Sequence, residues 1–229
     1  MKATLAAITL MTLSFSPCAA VEAPEIRDEY DRIGYSVGYQ IGGDFKRQGT
    51  DLKTDLVVQG IQDALKGDKP RIPPEEMHQT LVELKRKVTA AQQADHKRAA
   101  KKNQAEGEAF LAENAKKEGV VTLPSGLQYK ILAEGEGASP RATDNVTVHY
   151  RGTLLDGTEF DSSRRRNQPA NFRVNALIRG WSEALQRMKA GAKWQLFIPA
   201  KLAYGERATT SGVPPNSVLV FEVELLKVY

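Results

Sequence analysis

Apolar residues recur at helical spacing near the start of the chain and at alternating spacing in its last part. From Ile26 to Phe45 they follow one another at steps of three and four residues, which places them on one face of a helix. A second short helix is predicted from Thr54, which can cap it, to a stop at Gly67. Two such helices cannot bury a substantial core alone, so they need each other, a third helix or a second copy of the chain.

Three glycines, Gly34, Gly38 and Gly42, lie one helical turn apart beside this apolar face. Glycine costs about 1 kcal/mol in a helix interior, so three in register need an explanation. Close approach of another helix backbone provides one, as small residues at this spacing do in packed membrane helices. The alternative is that they are incidental residues of a loosely formed helix.

A long third helix is predicted from Pro73-Pro74, which suits a first turn, to about Glu118. At 1.5 Å per residue it would measure roughly 65 Å. Beyond Gln92 the residues are mostly Ala, Lys, Gln and Glu, which favours a solvent-exposed rigid spacer over a nucleic-acid patch. The part before Gln92 carries a heptad-like apolar seam that can pack against the N-terminal helices: Met77, Leu81, Leu84, Val88 and Ala91.

After Gly119 the pattern becomes strand-like, and Asp156-Gly157 predicts a tight hairpin turn. One clear helix is predicted in this part, from Gly180 to Met188. The fold class is therefore α+β: an antiparallel β-sheet wrapped around one short helix, preceded by an all-α N-terminal module and a long helix. The alternating segments that predict strands are Val146–Leu154, Trp194–Ile198 and Leu219–Leu225.

The first twenty residues predict a signal peptide. Met1-Lys2 is followed by an apolar run from Ala3 to Phe15, too short to span a bilayer, and by small residues before Val21. This predicts export to the periplasm of a Gram-negative bacterium. The alternative is an outer-membrane lipoprotein acylated at Cys18, although the residues before this single cysteine match a lipidation signal poorly.

Composition adds mainly exclusions. With 41% hydrophobic and 26% charged residues, the chain of 229 residues is an ordinary folded protein. Its net charge of +4, with acidic residues close to basic ones, gives no reason to expect a nucleic-acid partner. The three histidines, His78, His96 and His149, lack the spacing of a metal site, so we expect no metal and no cofactor. There is no nucleophile elbow, P-loop or dinucleotide fingerprint.

Four segments carry aromatic, acidic and glycine residues in a specific order: Val146–Ser163 (VTVHYRGTLLDGTEFDSS), Ile178–Trp181 (IRGW), Ala203–Glu206 (AYGE) and Pro214–Lys227 (PPNSVLVFEVELLK). With them, the chain from about Gly126 to Tyr229 resembles the FKBP family of peptidyl-prolyl cis/trans isomerases. The helical part, with Gly38–Gly42 before a long helix, resembles the dimerisation module of the macrophage infectivity potentiator subgroup.

Together with the signal peptide (1–20) and the long linker helix (74–118), the resemblance gives four expected regions, the other two being a helical dimerisation region (21–73) and an isomerase domain (119–229). It also implies a homodimer that assists the folding of exported proteins, with unfolded, proline-containing chains as clients. Macrolides of the FK506 and rapamycin class are expected inhibitors. The alternative function is a holdase-type chaperone or adhesion module with low isomerase turnover.

The chemistry implied is conformational. Amide resonance blocks rotation about an X-Pro bond with a barrier of roughly 20 kcal/mol, and no covalent step is needed to lower it. Twisting the amide removes much of the charge separation that water stabilises. A dry aromatic pocket that binds the twisted amide more tightly than the planar forms is therefore the expected catalyst.

By resemblance, Trp181 forms the base of this pocket, with Phe160 and Phe221 beside the proline ring. The Ile178 N–H and the Tyr204 hydroxyl would bind substrate carbonyls. The residues assigned to catalysis are Asp161, Tyr204, Phe160 and Tyr150, and those assigned to substrate binding are Leu177, Ile178, Trp181, Phe221 and Phe172.

Asp161 would lie near the carbonyl of the rotating bond, held by Tyr150 and Arg166. Two departures from the family pattern, Ala170 and Thr209, could alter turnover or substrate preference. The alternative interpretation of the aromatic set is that its members are simply core residues.

Overall fold

The computed structural model describes residues 25–207, 209 and 212–229. The predicted signal peptide, with Cys18, lies outside these residues. The chain divides into two compact units, residues 1–70 and 71–229. Within the described residues, no helix combines the length and the apolar character needed to cross a membrane.

The first unit contains two helices, α1 (Glu29–Arg47) and α2 (Thr54–Lys66). Asp28 starts α1 with a capping box, because its carboxylate accepts from the Asp31 N–H and the Asp31 carboxylate accepts from the Asp28 N–H. The cap predicted at Thr54 is wrong: Thr54 is already the first helical residue and Lys53 takes the extended cap position. The stop at Gly67 is confirmed, with φ 76° in the left-handed region.

Neither helix of this unit contains a buried residue in the described chain. The apolar face predicted for α1 is present, but neither α1 nor α2 buries it. Phe45, at the end of this face, is half-buried, but the other five large side chains are more than a third exposed: Ile26, Tyr30, Ile33, Val37 and Ile41.

The second unit begins with the long helix α3 (Pro74–Asn114), whose 41 residues correspond to about 62 Å. It ends four residues before the predicted Glu118. Leu81, in the predicted seam, is 64% exposed. The solvent-exposed spacer predicted beyond Gln92 is wrong for the last part of the helix, because from Ala100 onward α3 contacts the C-terminal domain: the Ala100 carbonyl accepts from Asn216 and Phe110 lies against Phe197.

The strands that follow are β1 (Val120–Thr122), β2 (Gln128–Ala133), β3 (Asn145–Thr153), β4 (Glu159–Ser162), β5 (Ala170–Arg173), β6 (Lys193–Ile198) and β7 (Leu219–Val228). They form one sheet that is antiparallel throughout and has the order β1-β2-β6-β7-β3-β4, with β5 also paired to β3. The three predicted strands correspond to β3, β6 and β7. The predicted short helix is α4 (Arg179–Leu185).

Alternation along the strands separates the two faces of the sheet. In β3, Val146, Val148 and Tyr150 are buried, whereas His149 between them is only half-buried, as the sequence predicted. The hairpin at Asp156-Gly157 is also confirmed, with Gly157 at φ 86° and a hydrogen bond from the Leu154 N–H to the Thr158 carbonyl (2.9 Å). The buried face packs against α4, which confirms an α+β fold with the sheet wrapped around one helix.

The opposite face of the sheet receives the end of α3. The ring of Phe110 lies 5.8 Å from that of Phe197, whose neighbours Leu196 and Ile198 belong to the core cluster. The buried Asn114 donates to the Gln128 side-chain oxygen (2.9 Å). The Gln128 amide in turn donates to the carbonyl of Leu111 (2.8 Å), so this buried polar pair is satisfied.

Gly107 allows α3 to approach the start of β7. A Cβ added at Gly107 would lie 2.7 Å from Cγ2 of Val218, a buried β-branched side chain. Gly107→Ala gains about 1 kcal/mol of helix propensity but forces the helix away from Val218, which costs more. We expect Tm to fall by about 2–4 °C in thermal unfolding.

The control is Ala105→Gly on the exposed side of α3, which should lower Tm through propensity alone. Gly107→Ala and Ala105→Gly would then both lower Tm, although one adds a methyl group to the helix and the other removes one. An increase in Tm for Gly107→Ala would contradict the close packing of α3 on the sheet.

Candidate active site

Five aromatic side chains from α4 and four strands form one cluster on the buried side of the sheet. Trp181 is at its centre, with ring centroids 5.3 Å from Tyr150 and 5.2 Å from Phe221 and planes nearly perpendicular. Phe172 lies 6.1 Å from Trp181, and Phe160 lies 5.5 Å from Phe221, also edge to face. These edge-to-face pairs are the favoured geometry for aromatic rings. The structure thus brings together the five predicted aromatic residues of β3, β4, β5, β7 and α4.

Gly152 makes room for this cluster. It lies opposite Phe221 in the β3–β7 ladder, and a Cβ there would lie 2.6 Å from Cε1 of Phe221 and 2.8 Å from Cζ of Phe160. A glycine inside a strand marks such a close approach. The prediction from sequence missed this residue, although a glycine in the otherwise alternating β3 segment was the available signal.

The cluster has a buried base and a more open edge. Trp181, Tyr150 and Phe221 are 3%, 5% and 5% exposed, whereas Phe160 and Phe172 are half-buried. Trp181, Tyr150 and Phe221 are therefore core residues, as the alternative interpretation of the aromatic set held. The cluster nevertheless continues to the surface through Phe160 and Phe172. An apolar surface that is buried below and open above can receive a small ring such as proline.

A polar network closes one side of the cluster. The Tyr150 hydroxyl donates to Oδ2 of Asp161 (2.5 Å), and Nη1 of Arg166 donates to Oδ1 (2.5 Å). Nη2 of Arg166 also donates to the Tyr150 hydroxyl oxygen (2.8 Å). Each pair among the three residues is thus hydrogen-bonded, which fixes the Asp161 carboxylate, as the resemblance implied.

The network shifts the pKa values of its members. Partial burial works to raise the pKa of Asp161, but the hydrogen bonds from Tyr150 and Arg166 outweigh it and the pKa is lowered. Burial, together with the hydrogen bond to Asp161, raises the pKa of Tyr150. Asp161 is therefore ionised and Tyr150 neutral at physiological pH.

Tyr204 is 39% exposed and lies in the turn after β6. Partial burial raises the pKa of its hydroxyl, and the negative charge of Asp161 adds to the effect. A neutral hydroxyl beside the cluster can donate a hydrogen bond.

Leu177 and Ile178, the two residues before α4, have different surroundings. The N–H of Ile178 has no hydrogen-bond partner among the described residues, while its carbonyl accepts from the Ser182 N–H (3.1 Å). Ile178 therefore offers a free donor. Leu177 packs against the core cluster that includes Trp181, and it also lines a cavity of about 490 Å³ with Asn175 and Arg179.

The two departures from the family pattern, Ala170 and Thr209, make ordinary packing and hydrogen-bond contacts. Ala170 pairs with Val148 in the β5–β3 ladder and packs against the core. The Thr209 hydroxyl accepts from the Val213 N–H (3.2 Å), and this hydrogen bond stabilises the loop that contains both residues.

Comparisons with known proteins cover both parts of the chain. Residues 30–131 match the domain amino terminal to FKBP-type peptidyl-prolyl isomerase, and residues 136–226 match FKBP-type peptidyl-prolyl cis-trans isomerase. The chain is 42% identical over 229 residues to the outer membrane protein MIP of Legionella longbeachae, covering 100% of this chain and 98% of that protein. The chain belongs to the FKBP-type peptidyl-prolyl cis-trans isomerase family.

Two further relatives extend the similarity. The FKBP-type isomerase is 47% identical over 198 residues to the FKBP-type 22 kDa peptidyl-prolyl cis-trans isomerase of Escherichia coli, covering 86% of this chain and 94% of that one. The crystal structure of FkpA from Escherichia coli matches with a TM-score of 0.68 and 37% identity, over 89% of this chain and 98% of that one. The chain is therefore a peptidyl-prolyl cis-trans isomerase, which favours the enzyme over the low-turnover binding module.

Arg166 should control the ionisation of Asp161 in this FKBP-type isomerase. Arg166→Ala removes a hydrogen bond and a positive charge, so the pKa of Asp161 should rise toward the ordinary range. The carboxylate would then be lost at a higher pH as the solution is acidified. The measurement is an NMR titration of the Asp161 carboxyl carbon.

Arg165→Ala is the matched control, because Arg165 pairs with Glu159 (3.5 Å) and not with Asp161. It should leave the Asp161 titration unchanged. An Asp161 pKa that is the same in Arg166→Ala as in the wild type would rule out this assignment of the network.

Proposed function

We propose that the aromatic cluster around Trp181 is the isomerisation site and that it lowers the barrier to rotation by binding the X-Pro amide in its twisted form. The observation that carries this proposal is the juxtaposition of a dry aromatic base with one ionised carboxylate at its edge. The planar amide has more separated charge than the twisted amide. Removal of water therefore favours the twisted state.

In this proposal the polar groups orient the substrate rather than react with it. The Ile178 N–H and the Tyr204 hydroxyl donate to substrate carbonyls on the two sides of the proline. The Asp161 carboxylate, fixed by Tyr150 and Arg166, faces the carbonyl carbon of the rotating bond. Its charge favours the conformation in which that carbonyl has left the amide plane. The rings of Phe160 and Phe221 flank the proline ring.

The same surface would accept macrolides of the FK506 and rapamycin class, which would compete with substrate. Natural substrates would be unfolded or nascent exported proteins that contain proline. The proposed location is the periplasm of a Gram-negative bacterium, after removal of residues 1–20; attachment to the outer membrane through Cys18 is the alternative. The relative from Legionella longbeachae is named an outer membrane protein.

The site proposal is tested with Asp161→Ala and Tyr204→Phe. Loss of the charged group should lower kcat/KM for a proline tetrapeptide by about tenfold or more, and loss of one neutral hydrogen bond by about three- to tenfold. The fold should survive, because both side chains are partly exposed. A protease-coupled assay measures the rates and circular dichroism verifies folding.

Two controls remove similar groups nearby. Glu159→Ala deletes another carboxylate of β4, one that pairs with Arg151 (2.7 Å), and Tyr129→Phe deletes the hydroxyl of a tyrosine stacked on Trp194. Both should retain wild-type kcat/KM. Wild-type rates in folded Asp161→Ala and Tyr204→Phe would show that the site has been assigned wrongly.

We also propose that residues 21–73 with the start of α3 form a homodimer. The uncovered apolar face of α1 and the exposed Leu81 support this proposal. A Cβ added at Gly34, Gly38 or Gly42 would have open space within 4 Å, so the glycines are not required by packing within one chain. A two-fold pairing in which each copy covers the apolar face of the other would satisfy both features.

Gly38→Leu should weaken this dimer, because a bulky side chain blocks close approach of the partner helix. Sedimentation equilibrium should show a higher dissociation constant, by tenfold or more as an order of magnitude. The kcat/KM for a short peptide should not change. Gln40→Leu is the control, because residue 40 lies about 200° around the helix from residue 38 and is exposed. A wild-type chain that is monomeric at tens of micromolar would contradict the proposal.

A further inference from the structure

The end of α3 is hydrogen-bonded to a turn of the isomerase domain far away in sequence. Nδ2 of Asn103 donates to the carbonyl of Pro215 (2.8 Å). Nδ2 of the next residue in that turn, Asn216, donates to the carbonyl of Ala100 (3.5 Å). The two bonds run in opposite directions, so helix and turn each supply one donor and one acceptor.

The same turn is bonded to the segment that carries Tyr204. The Asn216 N–H donates to the carbonyl of Gly205 (2.7 Å), and the Gly205 N–H donates to the carbonyl of Ala200 (2.9 Å). Asn216 therefore lies between the helix and Gly205: its side chain contacts α3 and its backbone contacts the residue after Tyr204. Asn216 has φ 54°, a left-handed conformation that a non-glycine residue keeps only when its surroundings hold it.

Tyr204 depends on this backbone for its orientation. Its side chain is 39% exposed, so packing fixes it less firmly than it fixes Trp181 or Tyr150. No described hydrogen bond holds the Tyr204 hydroxyl within the chain. The direction of the hydroxyl is thus set mainly by the turn from Ala203 to Gly205, and that turn is held by Asn216.

If Asn103 were lost, the bond from Asn216 to the carbonyl of Ala100 would be the one described hydrogen bond left between α3 and this turn. Beyond Asn103, α3 reaches the domain at three more places: Gly107 at Val218, Phe110 at Phe197, and Asn114 with the Leu111 carbonyl at Gln128. A cavity of about 640 Å³ separates the helix from the domain alongside these contacts, and Leu111, Pro199 and Val218 are among its lining residues. The helix therefore contacts the domain at separate points, and the bonds of Asn103 and Ala100 are the ones that hold the Pro215–Asn216 turn, which is bonded to Gly205.

We propose that Asn103 is a positioning residue for prolyl isomerisation. It holds the Pro215–Asn216 turn, and through the hydrogen bond from Asn216 to Gly205 it sets the place of the Tyr204 hydroxyl. The functional unit of the isomerase then includes the last turns of α3. This inference rests on the proposed function, because it requires that Tyr204 bind a substrate carbonyl.

The test uses the full chain with Asn103→Ala and the nearly isosteric Asn103→Asp, which removes the donor but keeps the shape. Both should lower kcat/KM for a proline tetrapeptide by about fivefold, the value of one hydrogen bond. Both should also accelerate hydrogen exchange of the Asn216 amide, measured by NMR, while the amides of β6 and β7 retain wild-type protection.

Two controls separate positioning from general loosening. The Lys102 side chain, next to Asn103 in sequence, is exposed and pairs with Glu106. Lys102→Ala should therefore change neither kcat/KM nor the hydrogen exchange of the Asn216 amide. Asn114→Ala breaks the buried pair with Gln128 at the far end of the docked segment and should lower Tm while kcat/KM stays at the wild-type value. Equal losses of kcat/KM in Asn103→Ala and Asn114→Ala would overturn the inference.

A double variant identifies the route. If Asn103 acts through Tyr204, Asn103→Ala should lower kcat/KM no further in a Tyr204→Phe background. Additive losses would overturn the inference. Wild-type activity of Tyr204→Phe alone would instead contradict the proposed role of Tyr204. Reduced activity of Tyr204→Phe together with wild-type activity of Asn103→Ala would contradict only the positioning role.

Discussion

The structure depends on the packing of Trp181 against Tyr150 and Phe221. The helix that carries Trp181 has only seven residues and would not be stable alone, so it is held by the side chains that it buries in the curved sheet. The same contact closes the core of the domain and makes the base of the proposed substrate surface. On this proposal stability and function share these aromatic residues, so a change in one of them affects both.

Tyr150 extends this core to the polar edge of the site. Its ring packs on Trp181 while its hydroxyl binds Asp161, because β3 brings it to the point where the sheet ends beside β4. The reverse face of the sheet carries the end of α3, which contacts Phe197 and the Pro215–Asn216 turn. The helix is thus part of the folded unit that presents the site as well as a link to the N-terminal helices.

Alternation was enough to predict β3, β6 and β7, but it did not predict the four shorter strands β1, β2, β4 and β5. The resemblance to FKBP-type isomerases supplied the aromatic set that the structure brings together. The docking of α3 could not be predicted in this way. It joins residues more than a hundred positions apart, such as Asn103 and Pro215, within a run rich in Ala, Lys and Gln that has no amphipathic pattern. Gly107 and Phe110 were the only local signals. The cap at Thr54 failed because propensity does not fix a helix start to one residue.

The most direct test of the account is to locate substrate on the full chain. A proline tetrapeptide would be titrated into isotope-labelled protein, and amide and indole chemical shifts would be followed by NMR. The account predicts the largest changes at the indole N–H of Trp181 and at the backbone amides of Ile178 and Gly205, with β1 and the exposed part of α3 unaffected. Changes centred on the cavity beneath α3, with the Trp181 indole unmoved, would contradict the placement of the catalytic site.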